Sequence, residues 1–286
     1  MVPKLNKLDI AIEYSCNLAC KGCIAFSNYN RSGTLYPSTA KKYFEQWHNK
    51  IQPDEIALFG GEPLLNKNVG PLLLLVRQYW PNARIKINTN VFNLEANHIQ
   101  HLFDVGNAVL QATFHFGEGG IRNKLKTKLL DIIKPFGKWD IEQDTEDVCF
   151  LSMQNKDVTV RCVQYGEFVS PAKGHGKNLR PWNSNNVEDS ISLCGNPSDP
   201  IMFEGRLYKC SPLANLKDTL SLFNIDHVDE WQPYLTYKGI GPNDDIENFV
   251  ANVGKASWMC SMCADNSSDL TTYSHLEKGG VEFKNA

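Results

Sequence analysis

The sequence predicts an α/β fold: a partial (β/α)6 TIM-like barrel followed by a small cysteine-bearing module. Three observations lead there. Apolar stretches with a period of two alternate four times with stretches of helical period, the order that builds parallel βαβ units rather than a sandwich or a helical bundle. The 286 residues, 42% of them hydrophobic, suffice for one barrel of roughly 200–250 residues and an appendage. Beyond about Gly166 the alternation stops, and four further cysteines follow.

In chain order, residues 9–14 place Ile10, Ile12 and Tyr14 on one face, the period of a strand. Ser38 is expected to cap a helix whose inward stripe is Phe44, Trp47 and Ile51. Residues 56–59 form a second strand, stopped by Gly60 and Gly61, and lead to a helix with Pro71 in its first turn. Residues 84–89 precede a helix over 94–103; residues 108–116 precede a helix with Ile121, Leu125, Leu129 and Ile132 inward. Residues 158–163 read as a fifth strand, and 138–156 carry no clear period. The expected partition is a barrel core over residues 8–166, an irregular connection over 167–189, the cysteine module over 190–265 and a tail over 266–286.

A formal charge of -3, from 29 basic and 32 acidic residues, gives no reason to expect general nucleic-acid binding. No stretch approaches the ~20 apolar residues of a membrane span, and residues 1–7 lack the apolar run of a signal peptide, so a cytoplasmic protein is expected, with no membrane partner. Nine cysteines is an odd number, which disfavours a complete disulfide framework and favours metal ligation.

Cys16, Cys20 and Cys23 form C-x3-C-x2-C directly after the first strand, so one loop can wrap three thiolates around one inorganic centre. Four irons and three thiolates leave one iron open to an outside ligand. A structural zinc site wants a fourth closed ligand, and no Cys or His follows Cys23 closely. The strand, the C-x3-C-x2-C loop and the later Gly60, Gly61, Glu62 and Pro63 together resemble the radical S-adenosylmethionine (SAM) superfamily. That resemblance implies a 4Fe-4S cluster on Cys16, Cys20 and Cys23, SAM chelated at the open iron, and reductive cleavage of SAM to a 5'-deoxyadenosyl radical that abstracts a substrate hydrogen. It also implies an electron donor such as flavodoxin or ferredoxin.

Gly60, Gly61, Glu62 and Pro63 fall at the end of the second strand, the edge where barrel sites collect. Glycines let backbone approach a ligand there, and Glu62 can accept from the SAM ammonium. Thr89 and Asn90, ending the third strand, and His115, near the end of the fourth, are further candidates for cofactor contact; an Asn-initiated turn and a hydrogen-bonded structural histidine explain them equally well. Family members usually carry an aromatic residue just before the third cysteine, where it lies near the adenine. This chain has Gly22, leaving Tyr14 or Phe26 to supply that contact.

Cys194, Cys210, Cys260 and Cys263 supply four thiolates, enough to close a cluster with no open iron. The first two are spaced C-x10-G-x4-C with Gly205 in an expected hairpin turn, and the last two form C-x2-C. The arrangement resembles the Twitch module, the shortened relative of the SPASM domain, which implies one auxiliary 4Fe-4S cluster; structural zinc is the other reading of four cysteines. Such a centre suits electron transfer and a net two-electron oxidation. The remaining Cys149 and Cys162 are expected to pack, although a radical epimerase would use a thiol as hydrogen donor. The first strand begins by Asp9, so no peptide-binding domain is expected before the barrel. An oxidoreductase acting on a small molecule is therefore the leading expectation, with a peptide or protein modifier second and a non-catalytic electron carrier third.

Overall fold

The computed structural model describes residues 2–115, 120–145, 149–164, 167–266 and 269–272. Its strands are β1 (Lys4–Glu13), β2 (Gln52–Gly60), β3 (Arg84–Thr89), β4 (Ala108–Thr113), β5 (Asp140–Asp144), β6 (Cys149–Asn155), β7 (Val158–Val163), β8 (Glu167–Val169), β9 (Ile201–Phe203), β10 (Arg206–Tyr208) and β11 (Leu270–Thr272). The helices are α1 (Pro37–Trp47), α2 (Val69–Tyr79), α3 (Ala96–Val105), α4 (Gly120–Ile133), α5 (Val187–Ser192), α6 (Ser211–Leu222), α7 (Gln232–Leu235) and α8 (Ile246–Asn252).

Nine strands form one sheet in the order β10-β9-β1-β2-β3-β4-β7-β6-β5. Six neighbours, β9 through β7 in that order, pair in parallel. Both margins are antiparallel: the β9–β10 hairpin at one side, and β6 with β5 at the other. The sheet is thus the open, partial barrel the alternation predicts. Its sixth parallel strand, however, comes from residues 201–203, inside the stretch expected to be a separate module. The unassigned 138–156 stretch becomes β5 and β6; β5 is polar and largely exposed on both sides, which hides its strand period.

Local chemistry explains each unit. In α1, Pro37 supplies the pre-set φ of a first turn, and Phe44, Trp47 and the following Ile51 are fully buried. Burying Phe44 alone contributes about 2–3 kcal/mol. Ser38 does not cap this helix: Tyr36 is the N-cap and makes no side-chain cap bond, because the helix starts at Pro37, two residues earlier than a Ser38 cap implies. In α4 the buried stripe is Leu125, Leu129 and Ile133, while Ile121 is 40% exposed, so the helix is rotated from the expected face at both ends. β4 stops at Thr113, short of the expected end; Phe116 lies outside the described residues. The β9–β10 turn forms as expected, with Glu204 and Gly205 at φ 49° and 76°, the two positive values of a type I′ turn.

The two faces of the sheet differ. Leu8, Ile10, Ile12, Ile56, Leu58, Ile85, Ile87, Leu110, Val160 and Cys162 pack under the helices in the main core. Their neighbours in sequence point the other way, inward, and many are polar or charged: Lys7, Asp9, Glu55, Lys86, Asn88, Gln111 and Arg161. A second core gathers Phe26 from the loop after β1 with Leu213, Leu216, Trp231, Tyr234 and Met262. The expected boundary between core and module therefore separates neither sheets nor cores. Among the described residues no helix is long and apolar enough to cross a membrane.

Candidate active site at the carboxyl edge of the sheet

The chain leaves β1 through a buried carboxylate. Glu13 Oε1 accepts from the Ser15 backbone N–H at 3.1 Å and from Ser15 Oγ at 2.6 Å, and its Oε2 accepts from Thr34 Oγ1 at 2.7 Å. These bonds fix the backbone one residue before Cys16. Cys16, Cys20 and Cys23 follow as half-buried thiols, and the Leu18 N–H donates to Cys16 Sγ at 3.3 Å. Gly22 takes φ +71°, a left-handed value that disfavours the aromatic residue usual at this place. Neither substitute named above is idle: Phe26 belongs to the second core, and the Tyr14 ring lies 4.9 Å from that of Phe203.

At the end of β2 the two glycines are required by close packing of backbone. A Cβ on Gly60 would stand 1.9 Å from the Glu13 carbonyl oxygen, and one on Gly61 would stand 2.0 Å from that of Ser15. The Gly61 N–H bonds to Glu13 O at 2.8 Å and the Glu62 N–H to Ser15 O at 2.9 Å. The glycines thus bring this turn against the cysteine loop; their missing side chains are taken up by protein.

Glu62 lies beneath that turn, 1% exposed. Its Oε1 accepts from the Leu64 N–H at 3.0 Å and Thr89 Oγ1 at 2.8 Å, and its Oε2 from the Asn90 N–H at 2.8 Å. Burial pushes its carboxyl up to about 7, and the three donors oppose that rise. Asn90 completes the link: its Nδ2 donates to Asn17 Oδ1 at 2.8 Å and lies 3.9 Å from Cys16 Sγ. The structure therefore joins Glu62, Thr89, Asn90 and Cys16 in one hydrogen-bonded set. Pro63 is buried in the short turn after Glu62. His115 follows β4 on the inward side, and desolvation lowers its pKa to about 4, so the ring is neutral near pH 7.

The second set also converges. The thiols of Cys194, Cys210, Cys260 and Cys263 are free and half-buried. Burial, with repulsion from Cys194 and Cys260, pushes the Cys210 thiol up to about 12. The Cys263 thiol is also pushed well up, by burial and then by the charges of Cys210, Cys194 and Cys260. Four thiols crowded in low dielectric, each disfavouring the next thiolate, form a donor set that suits a polycation displacing their protons. Among the described residues no three His, Cys, Asp or Glu side chains form a group that could hold a single metal ion; a cubane instead gives each thiolate its own iron. Both cysteine sets fit the clusters that the sequence implies.

Arg31, absent from the sequence-based candidates, ties the two sets together. It is 4% exposed, donates from Nη1 to the Ala25 carbonyl at 3.0 Å and to Asn215 Oδ1, and pairs through Nη2 with Asp218 at 3.2 Å. Asn215 and Asp218 sit on α6, the helix that starts next to Cys210. Nothing in the local sequence marks Arg31, because its partners lie 184 and 187 residues away. Cys162 is fully buried among apolar side chains on the helix-facing side of the sheet, as the packing reading expected. The side chain of Cys149 lies outside the described residues.

Residues 12–134 match the sequence profile of the Radical SAM superfamily, a stretch that contains the cysteine loop, the glycine turn and Asn90. Over that stretch the chain is similar to the radical SAM superfamily. Among curated relatives is the S-adenosyl-L-methionine-dependent 2-deoxy-scyllo-inosamine dehydrogenase of Niallia circulans, 29% identical over 114 residues. The match covers 39% of this chain and 46% of the relative, so the chain matches just under half the length of that protein. Among solved structures, a crystal structure of BtrN in complex with AdoMet and 2-DOIA covers 94% of this chain and 96% of its own, at 20% identity and a TM-score of 0.54. That likeness is one of fold. A second structure, selenomethionine BtrN in an open conformation, covers 91% and 92% at 18% identity, with a TM-score of 0.47.

Proposed function

We propose that the chain is a radical SAM dehydrogenase that removes two electrons from a small molecule. The observation that carries this reading is the hydrogen-bonded link from buried Glu62 through Asn90 to Cys16, at the edge of the parallel sheet where barrel enzymes place their chemistry. A mere electron carrier has no need of a buried carboxylate clamped beside its cluster loop. The dehydrogenase activity named for the Niallia circulans relative agrees with the reading.

Cys16, Cys20 and Cys23 would hold the SAM-binding 4Fe-4S cluster, and Cys194, Cys210, Cys260 and Cys263 an auxiliary one. When bound, the first cluster and SAM supply a 5'-deoxyadenosyl radical that takes a hydrogen atom from the substrate, and the second supplies an acceptor for the remaining electron. Glu13 and Glu62 hold the cysteine loop from its two sides. Glu62 keeps acceptor capacity beyond its three protein donors, enough for the SAM ammonium. Gly60, Gly61, Pro63, Thr89 and Asn90 shape the turn on which SAM rests, and neutral His115 offers a hydrogen bond without adding charge. Flavodoxin or ferredoxin is the class of electron donor proposed.

Anaerobic reconstitution tests this. The intact protein is expected to bind two clusters' worth of iron and sulfide and to form 5'-deoxyadenosine from SAM and dithionite. Cys16→Ala should abolish the product; Cys260→Ala with Cys263→Ala should halve the iron while SAM cleavage continues. Zinc in place of iron, or no 5'-deoxyadenosine from a fully loaded protein, would overturn the reading.

A further inference from the structure

We infer that Arg31 sets the reduction potential of the first cluster. Its buried positive charge is held between the loop of Cys16, Cys20 and Cys23 and the helix α6 that leaves Cys210, and it favours the reduced state of the centre on those three thiolates. The inference rests on the proposed radical SAM chemistry and adds a tuning residue that lies outside both cysteine sets.

Geometry fixes where the charge sits. Arg31 folds back over its own loop and donates from Nη1 to the Ala25 carbonyl at 3.0 Å, two residues beyond Cys23. The same nitrogen donates to Asn215 Oδ1. Asn215 in turn donates from Nδ2 to the Ser211 carbonyl at 2.8 Å and to Ser211 Oγ at 3.1 Å, directly after Cys210. One hydrogen-bonded chain through Ala25, Arg31, Asn215 and Ser211 thus runs from beside the first cysteine set to beside the second. The rings of Tyr14 and Phe203 close over the guanidinium, with Cζ 5.3 Å and 5.8 Å from their centroids. So enclosed, the charge does not turn toward water.

A staple alone has no need of charge. Burying a cation forfeits its hydration, and a well-packed apolar side chain joins two elements without that loss. Nor does the ion pair cancel the field. The Arg31 side chain is 3% exposed, whereas that of its partner Asp218, 3.2 Å away, is 50% exposed. Water screens the carboxylate and leaves the guanidinium's field largely intact in the interior. A second carboxylate in range, Glu204, is exposed and feels Lys217 as well. Burial pulls the pKa of Arg31 down, and a thiolate at Cys23 is among the charges that oppose the fall, so the guanidinium and the first cysteine set lie within each other's fields.

Reduction moves one electron from a donor of the flavodoxin or ferredoxin class onto the cluster, and no bond forms or breaks. The centre becomes one unit more negative. A fixed cation beside it stabilises that form and raises the potential, as charge and hydrogen bonding around iron-sulfur clusters generally do.

The experiment is a redox titration, followed by electron paramagnetic resonance, of the anaerobically reconstituted protein. The signal read is the one that changes when SAM is added, since only an open iron takes an outside ligand. At a fixed potential the reduced-to-oxidised ratio should fall at least about tenfold in Arg31→Met, a shift of about 59 mV for one electron. Arg31→Lys keeps the charge and loses the planar fork, so its ratio should stay within about threefold of the parent's. Asp218→Asn removes the screened counter-charge and should move the ratio upward, by about two- to threefold. Structural damage would lower the ratio in both Arg31→Met and Asp218→Asn; only a charge effect reverses sign between them. If Arg31→Met does not hold its clusters, Arg31→Lys and Asp218→Asn decide. Ratios that ignore these substitutions, or that fall with Asp218→Asn, overturn the assignment. Formation of 5'-deoxyadenosine is scored separately. A protein that makes it with a potential indifferent to Arg31 keeps the enzymatic reading and loses this one, and the expected shifts without any product do the reverse.

Discussion

Glu62 shows how burial and hydrogen bonding contend at one side chain. Its carboxyl, ordinarily at 4.5, is raised to about 7 by desolvation, against donors from Asn90, Leu64 and Thr89. Because the folded value lies above the unfolded one, the folded chain keeps a proton that the unfolded chain has already released between those two pH values. Stability is therefore fully present below about pH 4.5, falls as pH rises toward 7, and levels off above. The difference corresponds to about 3 kcal/mol. Urea denaturation of the cluster-free protein from pH 5 to 8 should show this slope, and Glu62→Gln should flatten it. Asp9, raised to about 6 by burial, adds a slope of the same sign, so the difference between the two proteins is the quantity to read. Equal slopes would mean that Glu62 is already ionised at pH 5.

Between β1 and β2 the stake is backbone clearance. Gly60 has φ +148° and no room for a Cβ beside Glu13. Gly60→Ala is expected to cost about 2–4 kcal/mol, through strain and through the loss of the turn that presses on the cysteine loop. Gly120→Ala, where an added carbon meets nothing within 4 Å, should change stability by no more than ~0.5 kcal/mol. Denaturation midpoints at constant m give both values. A Gly60→Ala protein as stable as the parent would mean that β1 and β2 separate at this edge at little cost.

Across the molecule, the seven cysteines of the two sets sit on one continuous body. β9 pairs with β1, Trp47 Nε1 donates to the Gly205 carbonyl at 2.8 Å, and Arg31 reaches α6 from the first cysteine loop. Arg31→Met would leave Asn215 and the Ala25 carbonyl buried without their donor, a loss of about 2–4 kcal/mol. The whole chain is expected to lose that stability in a single transition, coincident by circular dichroism and tryptophan fluorescence. Two resolved transitions would show instead that the barrel and the cysteine module unfold separately.

The alternating periods of residues 9–14, 56–59, 84–89 and 158–163 were enough to place the parallel core, because strand and helix periodicity is a local property of side-chain direction. The spacing of Cys16, Cys20 and Cys23 likewise put three thiols on one short loop, which is a local property of the sequence. Folding decided the rest. Residues 201–203 join β1 across nearly the full length of the chain, Arg31 finds its partners 184 and 187 residues away, and Gly60 answers to a carbonyl on another strand. Contacts between distant segments depend on which strands become neighbours, and no window of sequence carries that information.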